Sequence, residues 1–353
     1  MNTNKVFYYF PLSVFFSFCL INLAHALPSF DEVKNSYKKS DAVLLDRHDR
    51  VIHELRVDAK GRRLDWANIR DISPSLIKAV VRSEDRRFYE HSGVDWRAVG
   101  SAAITNLFSH ITRGASTITM QVASMLDNTL KRKNSKKTFR QKWDQMKLAG
   151  ELERTWTKEQ ILEAYLNLIT FRGELQGISA ASRGLFDKEQ SGLNETEALV
   201  LASLIRSPNA SAEDVIKRAC ALKRSEDDKA ECADIAALGR KTLTGAYHVR
   251  QRVTLAPHVA RALLTGGKTS AVSTLDGGLQ RFASEVLRHH LAAVRAQNVR
   301  DGSVLVVDNK SGDVLAYVGG LGDESSARYV DGTRARRQAG STLKPFLYAT
   351  ALE

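Results

Sequence analysis

The sequence predicts a mainly α-helical protein in two unequal parts, a large helical domain followed by the start of a mixed α+β one. Three observations predict it. From residue 73 to about 247 apolar residues recur at helical spacing, as in Leu76, Val80 and Val81, then Ile161, Tyr165 and Leu168, then Leu199, Leu201, Ala202 and Ile205, with Pro208 ending the last run. After about residue 250 the character changes. A further helix over 279–295 is followed by two alternating runs, 304–308 and 314–318, around Asn309-Lys310-Ser311-Gly312-Asp313, which reads as a hairpin. Third, 353 residues with 43% apolar and 26% charged content suit a globular chain of about two domains.

Taken in order, the chain opens with residues 6–27, nearly all apolar. The small-x-small triplet Ala24-His25-Ala26 favours a cleaved signal peptide, whereas the length favours a retained membrane anchor, weakened by Pro11. Either reading places the rest outside the cytoplasm. Val43-Leu44-Leu45 and residues 51–57 flank Arg47-His48-Asp49-Arg50 as a short hairpin on the way to the main domain. The expected organisation is 1–27 as signal peptide or anchor, 28–70 as a hairpin-containing lead-in, 71–250 as the helical domain, 251–300 as a linker and 301–353 as the beginning of the second domain. Of three cysteines, Cys220 and Cys232 flank a charged stretch; they form either a disulfide, in an oxidising compartment, or two free thiols. No Cys/His spacing suggests a metal site.

The net charge of +12 favours an anionic partner: phospholipid headgroups, a phosphorylated substrate or nucleic acid. With aromatics at 7% and no nucleic-acid motif, no nucleic-acid partner is expected.

Four stretches carry chemistry. Glu84-Asp85-Arg86-Arg87-Phe88-Tyr89-Glu90-His91 crowds acids, bases and aromatics where a helix ends, and a carboxylate in such a cleft can be tuned to act as a base. A solvated charge cluster rarely carries aromatics and a histidine so densely. Gly114-Ala115-Ser116-Thr117-Ile118-Thr119-Met120-Gln121 is small and hydroxyl-rich; Ser116 or Thr117 can cap the following helix, and helix N-termini bind phosphate. Lys131-Arg132-Lys133, Lys136-Lys137, Arg140 and Lys142 form a basic stretch, either a solvated loop or a contact for a diphosphate or headgroup. Residues 165–177, with Asn167, Phe171, Arg172-Gly173-Glu174 and Gln176-Gly177, end a helix and return in a polar loop.

In this order, and with Glu197 to Ala202 and Pro208-Asn209 after them, these stretches resemble the glycosyltransferase domain of the class A penicillin-binding proteins, the family 51 peptidoglycan glycosyltransferases, whose helical fold is lysozyme-like. Gly340-Ser341-Thr342-Leu343-Lys344-Pro345-Phe346 resembles the S-x-x-K motif that opens the penicillin-binding transpeptidase site. The resemblance covers about residue 40 to the end. Most of the family has Gln at the position of Met120, and a second catalytic Glu where this chain has Gln145, three residues after Lys142. Both departures, and the Phe171-Arg172-Gly173-Glu174 stretch, are similar to the 1C type.

The resemblance implies inverting transfer from lipid II into glycan strands, with loss of undecaprenyl pyrophosphate and with Glu84 as general base. It implies substrate contacts at Asp85, Phe88, His91, Ser116, Thr117, Gln121, Lys142, Gln145, Asn167 and Phe171, with Ser116, Thr117, Gln121 and Lys142 on the pyrophosphate. The second-carboxylate role is absent, or falls to Lys142, a metal or another acid such as Glu90. No dedicated cofactor is expected; Mg2+ or Mn2+ would arrive with the substrate pyrophosphate. Ser341 takes the transpeptidase nucleophile position with Lys344, and is expected to be inactive because the later S-x-N and K-T-G motifs have no place before Glu353. Implied partners are lipid II, the nascent glycan chain, the inner membrane on its periplasmic face (or the periplasm if the first segment is removed) and other cell wall synthesis proteins. The competing expectations are a lysozyme-like lytic enzyme, with Glu84 as general acid, and a non-catalytic scaffold that binds lipid II or glycan.

Overall fold

The structure is a computed structural model that describes residues 27–101, 116–127 and 139–352. The apolar segment 6–26, Gly114-Ala115 and the basic residues 131–137 lie outside the described residues. Among the described residues no helix is long and apolar enough to cross a membrane.

The described chain begins by docking onto the helical body. Helix α1 (Phe30–Ser36) opens with a capping box, in which the Ser29 and Glu32 side chains each accept the other's backbone N–H. Its Phe30 meets Trp66 and Trp156 edge-on, at centroid distances of 6.2 and 5.3 Å. Strands β1 (Asp41–Leu45) and β2 (Val51–Arg56) form the expected antiparallel hairpin, and β3 (Arg62–Arg63) follows.

Helix α2 (Pro74–Glu84) starts with proline in the first turn, where no N–H is needed. It ends because Asp85 leaves helical space, at φ −158° and ψ 79°. Helix α3 (Ile118–Leu126) is capped by Thr117, whose hydroxyl accepts the Met120 N–H at 3.1 Å. Helices α4 (Phe139–Thr155) and α5 (Lys158–Leu168) follow, the second with a Thr157/Gln160 capping box. Then come β4 (Thr170–Arg172), β5 (Leu175–Gln176), α6 (Ile178–Phe186) and α7 (Glu195–Ile205). Helix α7 is buried all round from Glu197 to Ile205, the pattern of a helix at the centre of a helical body. Residues after Leu168, expected as a polar loop, instead form a tight β4–β5 turn onto which β3 adds in parallel. Gly177 then carries the chain from β5 into α6: its φ is +81°, and a Cβ there would lie 2.7 Å from the carbonyl oxygen of Asn167. Helices α8 (Ala212–Arg224) and α9 (Ala233–Leu243) close the body and are joined by the Cys220–Cys232 disulfide.

Residues 251–300, expected to be a linker apart from a helix over 279–295, are folded before that helix as well. They contain α10 (Pro257–Leu263), β6 (Ser270–Val272) and α11 (Gly277–Ala293), the last capped by Asp276. β6 pairs in parallel with β1, giving the sheet order β2-β1-β6. Ala42, Leu44 and Ile52 of the hairpin therefore share a core with Ala256, Ala260, Leu264 and Leu275, not with the helical body. The hairpin read as a lead-in belongs structurally to the C-terminal unit, because its apolar face needs the partner that arrives only after residue 250. The hairpin of β7 (Val304–Val307) and β8 (Val314–Val318) is as expected. It packs on α11 through Ala283, Leu287, Ala316 and Val318, and the buried Gln280 bridges the carbonyls of Leu255 and Tyr317 at 3.0 and 2.9 Å. Helix α12 (Lys344–Leu352) is exposed along its length.

Candidate active site

Glu84 is the last residue of α2, and its side chain is only 8% exposed. The carboxylate is held from three directions. The Gln121 amide of α3 donates to Oε2 at 3.1 Å, the Ser83 hydroxyl donates to Oε1 at 3.4 Å, and Nε of Arg206, at the end of α7, stands 3.5 Å from Oε1. Gln121 is itself oriented by Tyr165 of α5, whose hydroxyl donates to Gln121 Oε1 at 3.2 Å. Burial, and then the Glu84 charge, push the Tyr165 phenol well above its ordinary range, so it stays a neutral donor. One carboxylate is thus fixed by a relay of neutral donors and faced by one exposed cation. That is suitable for a group that must be ionised, immobile and reachable.

The second feature lies at the start of α3. Lys142 of α4 donates to the Ser116 hydroxyl at 2.6 Å, and burial lowers the pKa of its ammonium. A half-buried ammonium beside a hydroxyl, at the start of a helix, suits a multiply charged oxyanion, which would restore the charge that burial disfavours. Ser116 and Gln121 flank the first turn of α3, so the cationic feature and the amide that holds Glu84 belong to the start of one helix.

The remaining expected contacts are walls. Asp85 turns away from Glu84, accepts the Ile118 N–H at 3.0 Å and faces His91 Nε2 at 3.0 and 3.1 Å. A carboxylate on the first N–H of α3 sits where a helix N-terminus favours negative charge. Phe88 and Phe171 are fully buried, with Lys158 Nζ 4.4 Å above the Phe88 ring. Both belong to the main hydrophobic core, and neither ring is free to touch a ligand. Thr117 is spent on its cap and on the Gly93 carbonyl, at 2.6 Å. Gly93, at φ +89°, lets this turn lie against the α4 backbone, where a Cβ would meet the Ala149 oxygen at 2.7 Å. Asn167 pins residue 67 to α5 by accepting the Ala67 N–H and donating to the Ala67 and Glu163 carbonyls, each at 2.8 Å.

Gln145 is also internal. It is 2% exposed, and its amide donates to the Met120 carbonyl at 2.5 Å, while its Oε1 is buried without a partner. Met120 packs with Val94 and Ala149. The two positions that depart from the family pattern are therefore adjacent, and together they tie α3 to α4. Glu90 is exposed, at the end of the short turn Phe88–Glu90. Ser341 and Lys344 are exposed and remote from this cleft in sequence and packing. Among the described residues no group of three or more His, Cys, Asp or Glu is arranged to hold a metal ion.

Sequence reasoning missed Arg206 and the roles of Tyr165 and Glu163. Arg206 carries a visible signal: it is the first charge after an unbroken buried helix, so it must emerge at a rim. Glu163 gives none. Its carboxylate takes Lys34 Nζ at 3.0 Å, Trp66 Nε1 at 2.7 Å and the Ile69 N–H at 2.8 Å, partners far away in sequence.

Residues 48–227 match the transglycosylase family. The chain is 34% identical over 315 residues to penicillin-binding protein 1C of Escherichia coli (strain K12), covering 84% of this chain and 39% of that protein. It is 38% identical over 164 residues to the biosynthetic peptidoglycan transglycosylase of Mannheimia succiniciproducens, covering 45% of this chain and 64% of that one. A crystal structure of penicillin-binding protein 1A from Haemophilus influenzae aligns over 90% of this chain and 53% of its own, at 15% identity and a TM-score of 0.40, too distant a likeness to carry weight. The chain thus spans less than two thirds of the length of these relatives.

Proposed function

The chain belongs to the transglycosylase family, and from that premise we propose that it polymerises lipid II into peptidoglycan glycan strands by inverting glycosyl transfer. The observation that carries the reading is the pairing, along α3, of a buried and immobilised carboxylate at Glu84 with the Ser116–Lys142 oxyanion feature. Glu84 takes the proton of the C4 hydroxyl of the incoming lipid II. That oxygen attacks the anomeric carbon of the growing strand, the glycosidic C–O bond to phosphate breaks, and undecaprenyl pyrophosphate leaves. Lys142, Ser116 and the N-terminus of α3 take the charge that develops on the departing diphosphate. A divalent cation, Mg2+ or Mn2+, would enter on the diphosphate as part of the substrate. Glu84 acts as the single essential carboxylate of the cleft, because Gln145 does not ionise and is committed to the α3–α4 contact. The reaction takes place at the periplasmic face of the inner membrane, where the +12 charge suits anionic headgroups and other wall-synthesis proteins have access.

Incubating the purified chain with lipid II and, separately, with finished glycan tests this. Polymer from lipid II that disappears in Glu84→Gln is the expected result. Cleaved glycan would establish a lytic enzyme, and bound lipid II without turnover a scaffold; either would overturn the proposal.

A further inference from the structure

The last turn of α2 carries Glu84, and a helix end is the part of a helix most prone to fray, because its final carbonyls have no intrahelical partners. Here that turn is gripped from outside at two points. Arg206 donates to the Ser83 carbonyl at 3.0 Å. On the other side Arg82, two residues before Glu84 and with a side chain only 13% exposed, forms an ion pair with Glu226 and donates to the Ser225 hydroxyl at 2.7 Å. Lys78, one turn earlier, also reaches Glu226, at 3.0 Å. Ser225 and Glu226 stand at the end of α8, in the exposed charged loop that the Cys220–Cys232 disulfide closes. The Ser225 and Glu226 N–H groups donate to the Ala221 and Lys223 carbonyls at 3.1 and 3.0 Å, so Glu226 follows the end of α8, and the cross-link holds that end against the start of α9.

We propose that Glu226 is a positioning residue for Glu84, held in register by the Cys220–Cys232 disulfide, so that the redox state of this cross-link sets the rate of the transferase. The inference rests on the glycosyltransferase reading above and adds its regulation. Both cysteines are half-buried, within reach of a dithiol. Reduction breaks the S–S bond to two thiols while the dithiol closes to its own cyclic disulfide. The loop then loosens, Arg82 loses its partner, and the Glu84 carboxylate spends less time in its attacking geometry.

Two readouts test this on the full chain: amide hydrogen exchange over residues 82–85, and kcat with KM for lipid II. The comparison set is oxidised and dithiothreitol-reduced wild type, Glu226→Ala, Glu226→Asp and the double variant Cys220→Ser/Cys232→Ser. Exchange is expected to quicken and kcat to fall by roughly three- to tenfold in reduced wild type, in Glu226→Ala and in the double cysteine variant, at unchanged KM. Glu226→Asp should recover part of the loss, and reducing Glu226→Ala should add nothing. If Glu226→Ala matches wild type in exchange, or if reduction slows it as much as it slows wild type, the brace does not exist. A lowered melting temperature with exchange and kcat intact below it would likewise overturn the proposal. Wild type that fails to turn over lipid II would count against the glycosyltransferase reading alone, since the exchange measurement still decides the brace.

Discussion

Glu84 and Ser341 both sit at the junction of a motif and a helix, yet their surroundings are opposite. The Glu84 carboxylate closes the end of α2 and is enclosed by groups from α3, α5 and α7. Ser341 precedes α12, a helix whose Phe346, Leu347 and Tyr348 are 70%, 64% and 64% exposed. Both stretches carry residue types suited to catalysis, but among the described residues only one is covered. A nucleophile or base needs neighbours that fix its rotamer, exclude water and stabilise the charge that develops, and those neighbours come from other elements of the fold. Activity should therefore be sensitive to the first region and insensitive to the second.

The sharpest way to break this contrast is Glu84→Gln against Ser341→Ala. The first is expected to lower lipid II polymerisation by about 10²- to 10⁴-fold, and the second to leave it unchanged. Equal losses would show that the two regions act together. Next in size is the wall. Phe88→Ala removes a fully buried ring and should cost about 3–5 kcal/mol in a denaturant titration, whereas Phe346→Ala should stay within about 0.5 kcal/mol.

The third test is pH. His53 of β2 is buried beside Arg261 and accepts the Ala256 N–H; burial first, and then the Arg261 charge, lower it from 6.5 to about 4. The unfolded chain takes up a proton at the higher pH and the folded chain at the lower. Stability from this group is therefore complete above pH 6.5 and falls as pH drops towards 4, by on the order of 3 kcal/mol. Unfolding midpoints across that window should flatten in His53→Asn, whose amide oxygen can replace the ring acceptor. The smallest effect concerns Lys142. Its lowered pKa means that it loses charge at a pH below the ordinary lysine value of 10.5. Inorganic diphosphate should bind less tightly as pH rises through that lowered value, and Lys142→Ala should raise KM for lipid II about tenfold.

The sequence carried the helical body and both hairpins well, because periodicity and turn residues are local signals. Glu84 was legible for the same reason, as an acid at the end of an apolar helical run. What it could not separate was lining from wall. Phe88, Asn167 and Phe171 share their stretches with Glu84 and Tyr165, and only tertiary packing turns their side chains into the core. Residues 251–300 read as a linker because no local signal shows their partners; they fold against Ala42, Leu44 and Ile52 from the other end of the chain. Arg206 lay inside a recognised stretch, but its meaning depends on where α7 points it.

The parallel pairing of β1 with β6 has a consequence in time as well as in space. The Ser273 hydroxyl caps the Leu45 carbonyl across a separation of 228 residues, so the β1–β2 hairpin waits for most of the chain to be made before its open edge is filled. Until then it presents unpaired N–H and C=O groups alongside Leu44 and Ile52, the kind of edge that recruits foreign strands. The charged turn Arg47-His48-Asp49-Arg50 sits at the tip of that same hairpin, and its Asp46, fully buried once folded, gathers the N–H groups of His48 and Arg50 at 2.8 and 2.9 Å. The hairpin thus carries its own local closure, independent of β6, through the interval in which its neighbour does not yet exist.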